Sequence, residues 1–173
     1  MYETKDAFVT VILGIDPGSR ITGYGLIGAI GNDLKYLDSG CIRTTTDMGL
    51  SGRLLDIFNG IRQIMTAFNP DEVAIEQVFM HQNANTALKL GHARGAAMVA
   101  AASSDMHVAE YSPRQIKQAV AGYGAADKEQ VKQMVMRLLV LSKAPQTDAS
   151  DALAVAICHR HVRQSNLLRS QCT

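Results

Sequence analysis

The feature that most constrains the fold is a nearly continuous apolar run near the start of the sequence, FVTVILGI at residues 8–15. Its β-branched composition is typical of a strand buried on both faces, as happens when helices cover both sides of a sheet. Asp16 follows the run directly, and Pro17-Gly18-Ser19 then indicates a tight turn. The sequence therefore predicts a central buried strand with an acidic residue at its end.

The residues after this turn predict two more strands and then a mixture of helices and strands. Strands are expected at residues 22–30 and 34–44, and the short link Gly31-Asn32-Asp33 favours an antiparallel meander. Helical spacing of apolar residues then predicts a helix over residues 50–68, which Asn69-Pro70 ends. The later elements are predicted to be strands at 72–76 and 107–111, and helices at 85–102, 113–121, from 127 onward, and at 147–162.

These elements predict a single α/β domain spanning residues 1–173, with a five-stranded mixed sheet flanked by helices. Two helix starts have a clear signature. Ser112-Pro113-Arg114-Gln115 is a capping box with proline at the first helical position, and Asp127-Lys128-Glu129-Gln130 opens the next helix. Residues 1–10 and 164–173, approximately, are expected to form flexible tails.

Composition excludes several classes of protein. The chain has 173 residues, 47% hydrophobic and 19% charged, which suits one folded domain and not a disordered one. Its apolar stretches are far shorter than the roughly 20 residues of a membrane span, and the first residues lack a signal-peptide core. Three cysteines (Cys41, Cys158 and Cys172) are too few and too far apart for a disulfide framework. We therefore expect a cytoplasmic protein.

Charge is distributed unevenly along the chain. Residues 1–112 contain 8 Lys and Arg against 12 Asp and Glu, a balance of −4, whereas residues 113–173 contain 9 against 4, a balance of +5. This asymmetry is compatible with phosphate contacts on one face and an acidic metal-binding cluster on another. An uneven but merely solvated surface is the alternative that charge alone leaves open.

Four acidic residues stand in apolar surroundings and are the candidate catalytic residues. Asp16 and Glu76 end predicted buried strands, while Asp148 and Asp151 lie at i and i+3 on one face of the last predicted helix. Carboxylates that converge repel one another unless a cation joins them, and oxygen ligands suit Mg²⁺ or Mn²⁺. Two such ions about 4 Å apart can clamp the attacking and leaving oxygens of a phosphodiester.

Each acid also has a structural alternative when it is taken alone. Asp16 could cap the turn that follows it, and Asp148 could cap its helix. Asp151 could pair with a nearby Lys or Arg, and a salt bridge would satisfy Glu76. The metal hypothesis depends on the fold bringing all four together, which sequence spacing cannot establish.

Several segments closely resemble the RuvC family of bacterial Holliday junction resolvases. They begin with Gly14-Ile15-Asp16-Pro17-Gly18-Ser19-Arg20, continue through Ile75-Glu76-Gln77-Val78-Phe79-Met80 and end in Asp148-Ala149-Ser150-Asp151-Ala152-Leu153-Ala154. In order and with few gaps, the resemblance covers roughly residues 12–162. It implies a ribonuclease-H-like fold and a Mg²⁺-dependent endonuclease that cuts four-way DNA junctions by symmetric paired nicks.

The resemblance also assigns residue roles. It implies that Asp16, Glu76, Asp148 and Asp151 are the metal-binding quartet, each site holding two Mg²⁺ or Mn²⁺ ions. Phe79 matches an aromatic residue that the family stacks at the opened bases of the junction, a role that a ring on a loop can fill. Lys117 and Lys128 match lysines implicated in substrate binding and catalysis.

The family likeness further implies a homodimer and a collaboration with the RuvA–RuvB branch-migration complex. The predicted helix at residues 85–102 is rich in small residues that would let a second helix approach: Gly91, Gly95, Ala96, Ala97, Ala100 and Ala101. Packing of the same residues against the sheet is the alternative. Two departures from the family pattern are the ten or so residues before the first strand and the neutral Gln82, where the family often has a basic residue.

Two short motifs match ligand-binding patterns, and two rival functions compete with the nuclease. The G-x-G-x-x-G match at residues 23–28 lies inside a predicted strand, so it is not expected to bind a dinucleotide. Cys158-His159-Arg160-His161 lacks a second ligand pair, so a structural role is favoured over zinc. An actin-like phosphotransferase would need a second similar domain, whereas a DNA-binding homologue without activity remains an alternative to the nuclease.

Overall fold

The computed structural model describes residues 9–45, 47, 49–79 and 83–171, which form a five-stranded sheet with helices on both faces. The strands are β1 (Thr10–Asp16), β2 (Ile21–Ile30), β3 (Asp33–Arg43), β4 (Glu72–Glu76) and β5 (Val108–Tyr111). The helices are α1 (Gly49–Phe68), α2 (Ala84–Ala102), α3 (Pro113–Ala121), α4 (Lys128–Leu138) and α5 (Thr147–Gln171). The predicted order of elements is confirmed.

The sheet is mixed, as the sequence predicts, with strand order β3-β2-β1-β4-β5. β1, β2 and β3 form an antiparallel meander, whereas β4 and β5 run parallel to β1. Ile15 of β1 pairs with Ile75 of β4, so the next residues, Asp16 and Glu76, end neighbouring parallel strands side by side. Parallel strands thus bring the two strand-end carboxylates to one edge of the sheet.

Two apolar layers hold the helices on the sheet. One layer lies between the sheet and α1 with α2 and includes the fully buried Leu13, Ile15 and Ile57. The other lies between the sheet and α3, α4 and α5 and includes the fully buried Ile12 and Leu153. Alternate residues of β1 therefore face opposite layers, which explains why its sequence is apolar almost throughout.

Glycines in β1 and β2 let α5 lie directly against the sheet. A Cβ atom on Gly14 would be 2.1 Å from the carbonyl oxygen of Ala152, and one on Gly23 would be 2.0 Å from the carbonyl oxygen of Asp148. No side chain fits at either position without moving the helix backbone. The G-x-G-x-x-G match thus lies within strand β2, as predicted, and its first glycine makes room for the start of α5.

The predicted end of the last helix is wrong. α5 continues to Gln171, well past residue 162, so residues 164–171 are helical. The segment after Val162 contains neither proline nor glycine, and Ser165 Oγ donates to the carbonyl oxygen of His161 within the helix. Phe8, the predicted start of the first strand, lies outside the described residues. Within the described residues β1 begins at Thr10.

Both predicted capping boxes are present. The Ser112 side chain accepts from the backbone nitrogen of Gln115, and the Asp127 side chain accepts from that of Gln130. These caps fix the starts of α3 and α4, which face the acidic edge of the sheet. No helix in the described part of the chain is both long enough and apolar enough to cross a membrane.

Candidate active site

Three of the four predicted acids meet at the carboxyl ends of β1 and β4. Asp16 and Glu76 come from these strand ends, and Asp151 comes from the first turns of α5, which the strand glycines hold close to the sheet. All three line one cleft of about 470 Å³. Asp148 lies one turn earlier on α5 and is not part of the cleft lining, although its charge acts on Asp16.

The local electrostatics are those of a carboxylate cluster with too little positive charge. Burial, followed by the charges of Glu76, Asp151 and Asp148, raises the pKa of the Asp16 carboxyl far above its ordinary value. The pKa of Glu76 is also raised, by burial and by the charge of Asp151, while a hydrogen bond with Asp16 opposes the rise. Clustered acids with raised pKa values occur preferentially at functional sites, where a cation or substrate relieves the repulsion.

Two lysines lie at the same cleft. Lys128 Nζ donates to Asp151 Oδ2 at 3.2 Å, and Lys117 is close enough for its charge to lower the pKa of Glu76. The alternative that Asp151 pairs with a lysine is therefore realised, but the pair lies within the acidic cluster. Charges of Asp151, Asp16 and Glu76 in turn raise the pKa of Lys128.

The carboxylates do not stand in a ready-made coordination shell. Among the residues that the structure describes, no group of three or more His, Cys, Asp or Glu side chains is placed to hold one metal ion. The donor set itself consists of carboxylate oxygens, which are the ligands that Mg²⁺ and Mn²⁺ prefer. The site thus fits a hard divalent cation by its chemistry and its excess negative charge.

Phe79 lies on the loop after β4, at the mouth of the cleft, with 50% of its surface exposed. This confirms the predicted exposure of the ring, and an exposed aromatic ring beside a cleft that contains carboxylates is available for stacking. Leu90 of α2 also contributes to the cleft wall. Gln82, the residue at which the family pattern differs, lies outside the described residues.

The turn after Asp16 is held by Thr22, a residue that the sequence pattern did not single out. Thr22 is fully buried, its Oγ1 donates to the carbonyl oxygen of Gly18 at 2.9 Å, and the Gly18 nitrogen donates back to it at 3.3 Å. A Cβ atom on Gly18 would be 2.0 Å from the carbonyl oxygen of Ile21, so this turn requires glycine. A threonine four residues after the turn glycine was the available signal.

The Cys158-His161 motif has structural roles, as the sequence favoured. Cys158 is fully buried, and burial raises the pKa of its thiol to about 12. His159 lies between Tyr111 and Glu72, 2.9 Å from each, and His161 Nδ1 lies 2.9 Å from the carbonyl oxygen of Ala119. These contacts fix α5 on β4, β5 and α3.

The small residues of α2 divide between two faces. Ala97, Ala100 and Ala101 are fully buried in the apolar layer that α2 shares with α1 and the sheet, in agreement with the intramolecular packing alternative. On the other face, a Cβ atom on Gly91 or Gly95 would meet nothing within 4 Å. Leu88 and Val99 are 64% and 61% exposed on this helix, which leaves an apolar surface uncovered.

Comparison with known proteins gives a consistent family match. The family model of the crossover junction endodeoxyribonuclease RuvC matches residues 12–159. The crossover junction endodeoxyribonuclease RuvC of Legionella pneumophila (strain Lens) is 60% identical over 167 residues, which cover 95% of this chain and 96% of that protein. The protein of the same name from Photobacterium profundum is 57% identical over 94% of this chain and 93% of its own length.

A solved structure matches as well. Thermus thermophilus RuvC, solved in complex with Holliday junction substrate, superposes with a TM-score of 0.85 and 34% sequence identity, covering 91% of this chain and 96% of that one. The match confirms the predicted ribonuclease-H-like fold.

Proposed function

Because the chain belongs to the RuvC family of crossover junction endodeoxyribonucleases, we propose that it resolves four-way DNA junctions by symmetric paired nicks. The observation that carries this proposal is the convergence of Asp16, Glu76 and Asp151 on a cleft that also contains Lys128 and Phe79. Water attacks the phosphorus at each nick, the bond to the 3′ oxygen breaks, and the ends are a 5′-phosphate and a 3′-hydroxyl.

Divalent metal use is implied by the family, and we propose Mg²⁺, with Mn²⁺ as a substitute and two ions in each site. Asp16, Glu76, Asp148 and Asp151 would hold the ions. Bound there, such ions would polarise the attacking water and stabilise the departing oxygen. The raised pKa values of Asp16 and Glu76 support this assignment, because carboxylates kept close without enough positive charge gain most from a cation.

The two lysines would act on the DNA. Lys128 is 79% exposed at its side chain and reaches Asp151 from the start of α4, so its ammonium can exchange that carboxylate for a phosphate oxygen. Lys117 lines the cleft on α3. Both would neutralise phosphate charge near the scissile bond, and Phe79 would stack on a base that the opened junction leaves unpaired.

We further propose that the protein works as a homodimer and cooperates with RuvA–RuvB. A two-fold dimer presents two identical sites to two strands of like polarity, which suits symmetric cutting. The uncovered face of α2 with Leu88, Gly91 and Val99 supports a helix contact between protomers. Light scattering measures the mass that decides this point, and a monomeric mass at micromolar concentration contradicts the dimer.

The first experiment compares cleavage of a synthetic four-way junction and a linear duplex of the same sequence, with Mg²⁺ and with EDTA. We expect metal-dependent, paired nicks in the junction alone. Glu76→Gln should bind the junction and fold normally but lose cutting by at least about 100-fold, because it removes one anionic cleft oxygen without changing shape.

Glu129→Gln is the matched control for this variant. Glu129 is an exposed glutamate on α4 whose carboxylate accepts from Gln133 and is not part of the cleft lining, so its loss should leave cutting unchanged. Binding without nicking by the unaltered protein would favour a homologue without activity. Equal cutting of the linear duplex would refute junction selectivity, and full activity of Glu76→Gln would refute the site.

A further inference from the structure

Arg43 lies at the same sheet edge as the acidic cleft but on the opposite side from the two lysines. β3, which Arg43 ends, runs parallel to β1 at one margin of the sheet, so its end lies at the edge where Asp16 ends β1. Lys117 and Lys128 belong to helices that follow β5, at the other margin. The carboxylates therefore lie between Arg43 on one side and the two lysines on the other.

Contacts on both sides fix the position of Arg43. Its Nη2 donates to Oε1 of Gln146 at 3.3 Å, directly before the start of α5. The next residue, Thr44, donates from its backbone nitrogen to the carbonyl oxygen of Arg20 at 3.0 Å and from Oγ1 to that of Ser19 at 3.1 Å. The end of β3 is thus joined both to the turn that follows Asp16 and to the helix that carries Asp151.

The charge of Arg43 is available to a ligand. The residue is exposed, and its hydrogen-bond partner Gln146 is neutral. Within the described ranges no carboxylate forms a salt bridge with it, in contrast to Arg94, which pairs with Glu110, and Arg163, which pairs with Glu72. Arg43 and Asp148 act with opposite sign on the pKa of Cys41, so both charges lie near that residue of β3.

Resting on the junction cleavage proposed above, we infer that Arg43 is a positioning residue that binds a backbone phosphate flanking the scissile one, on the side away from Lys117 and Lys128. A guanidinium can hold a phosphate by two parallel hydrogen bonds, which fixes orientation as well as charge. Phosphate contacts set the register of a protein on DNA. Anchors on both sides of the cleft would hold one strand across Asp16 and Glu76.

The test is the salt dependence of junction binding by the full-length protein in Ca²⁺ or EDTA, followed by single-turnover cutting in Mg²⁺. Arg43→Ala should weaken binding about fivefold at roughly 0.1 M salt and lower the slope of log K against log[salt] by about one, as expected for one lost phosphate contact. Cutting of saturated junction should slow by about threefold, because the strand loses one of the contacts that hold it across Asp16 and Glu76. Arg43→Lys should restore the slope.

Matched variants separate DNA contact from a structural effect. Gln146→Ala removes the intramolecular hydrogen bond and keeps the charge, so its slope should equal that of the unaltered protein. Arg62→Ala removes another exposed arginine that donates to one neutral side chain, Ser103 at 2.8 Å, near the end of α2 and away from the cleft. It too should leave the slope unchanged. Arg43→Gln, which keeps a polar stem without charge, replaces Arg43→Ala if that variant does not fold.

The outcomes are distinct. An unchanged slope for the neutral Arg43 variants overturns the inference, as does the same loss of slope in Gln146→Ala. If the unaltered protein does not cut the junction with any divalent metal, the proposed function fails first, before any variant is compared. If the unaltered protein cuts the junction normally and the neutral Arg43 variants do not change the salt slope, the phosphate contact of Arg43 is rejected and the proposed function stands.

Discussion

Replacing Asp16 by Asn should stabilise the metal-free protein while abolishing its cutting. In the folded chain the Asp16 carboxyl is half-buried beside Glu76, Asp151 and Asp148, and its pKa rises from 3.8 to about 8. The unfolded chain relieves this repulsion, so ionisation of Asp16 favours unfolding. An amide has a similar shape and no charge, and it removes this cost.

The size of the effect follows from the same environment. A pKa raised from 3.8 to about 8 corresponds to a ceiling of about 6 kcal/mol above pH 8 and of about 4 kcal/mol at pH 7. The pKa of Glu76 is also raised, so the acids share the repulsion, and a realised gain of about 2 kcal/mol is expected. For a chain of this length that gain raises Tm by about 4–8 °C.

The pH dependence has a defined sign. The folded state holds the Asp16 proton more tightly than the unfolded state, so the stability from this proton is complete below pH about 4 and is lost as pH rises towards about 8. Thermal melts in EDTA at pH 5 and pH 8 should therefore show a steeper loss of Tm for the unaltered protein than for Asp16→Asn. Glu129→Gln, on the exposed surface of α4, serves as the charge control.

Metal addition provides the second half of the assay. In the proposed assignment Mg²⁺ binds the folded site alone, so it should raise the Tm of the unaltered protein by mass action, with a smaller rise for Asp16→Asn. An Asp16→Asn protein that melts at or below the unaltered Tm at pH 8 in EDTA, with the same pH dependence, would refute the electrostatic reasoning. If Mg²⁺ raised the Tm of Asp16→Asn as much as that of the unaltered protein, the assignment of Asp16 as a metal ligand would be wrong.

Two further variants examine the ring and the packing. Phe79→Ala should fold and bind metal normally but cut the junction about tenfold more slowly, since stacking of one base contributes about 1–3 kcal/mol; an unchanged rate would mean that the ring has no role in cutting. Gly14→Ala should destabilise the protein by about 3 kcal/mol in urea unfolding, because its Cβ atom would lie 2.1 Å from the Ala152 carbonyl oxygen. It should also reduce cutting by displacing Asp151, and unaltered stability would contradict the close approach of α5.

The sequence predicted the strand-end acids well because strand ends are local features. The apolar run before Asp16 and the run before Glu76 each define a buried strand, and both strands are found where predicted. The convergence of these acids with Asp151 could not be derived from spacing, because it depends on the pairing of β1 with β4 and on the glycines beneath α5. Before the structure was known, only the family resemblance predicted that these acids lie in one site.

Other features depend on long-range contacts that no local pattern records. Lys128 and Asp151 form their pair across two helices, and the Arg43 to Gln146 bond joins a strand to a distant helix start. The extended end of α5 was missed for a different reason. Its sequence has weak apolar periodicity, so no pattern of buried residues marks the helix. The absence of proline and glycine permits the helix to continue but does not by itself predict one.

β4 provides an internal comparison between a structural and a functional carboxylate, since it begins with Glu72 and ends with Glu76. Glu72 is ion-paired with Arg163 and lies 2.9 Å from His159 Nε2. Burial lowers the pKa of His159, whose Nδ1 lies 2.9 Å from the Tyr111 hydroxyl and whose Nε2 lies 2.9 Å from Oε2 of Glu72. One guanidinium and one imidazole thus contact that acid.

Glu76 has no comparable arrangement. Lys117 and Lys128 oppose the rise of its pKa, yet burial and Asp151 outweigh them, and the next strand end adds Asp16 to the same cleft. An acid that only ended a strand would be more stable with an ion pair like that of Glu72. A purely structural Glu76 would therefore be expected to have such a pair as well. The chain instead has a costly concentration of negative charge at one edge of the sheet, with lysines on one side and Arg43 on the other. This arrangement is what the proposed binding of cations, and then of a phosphodiester, requires.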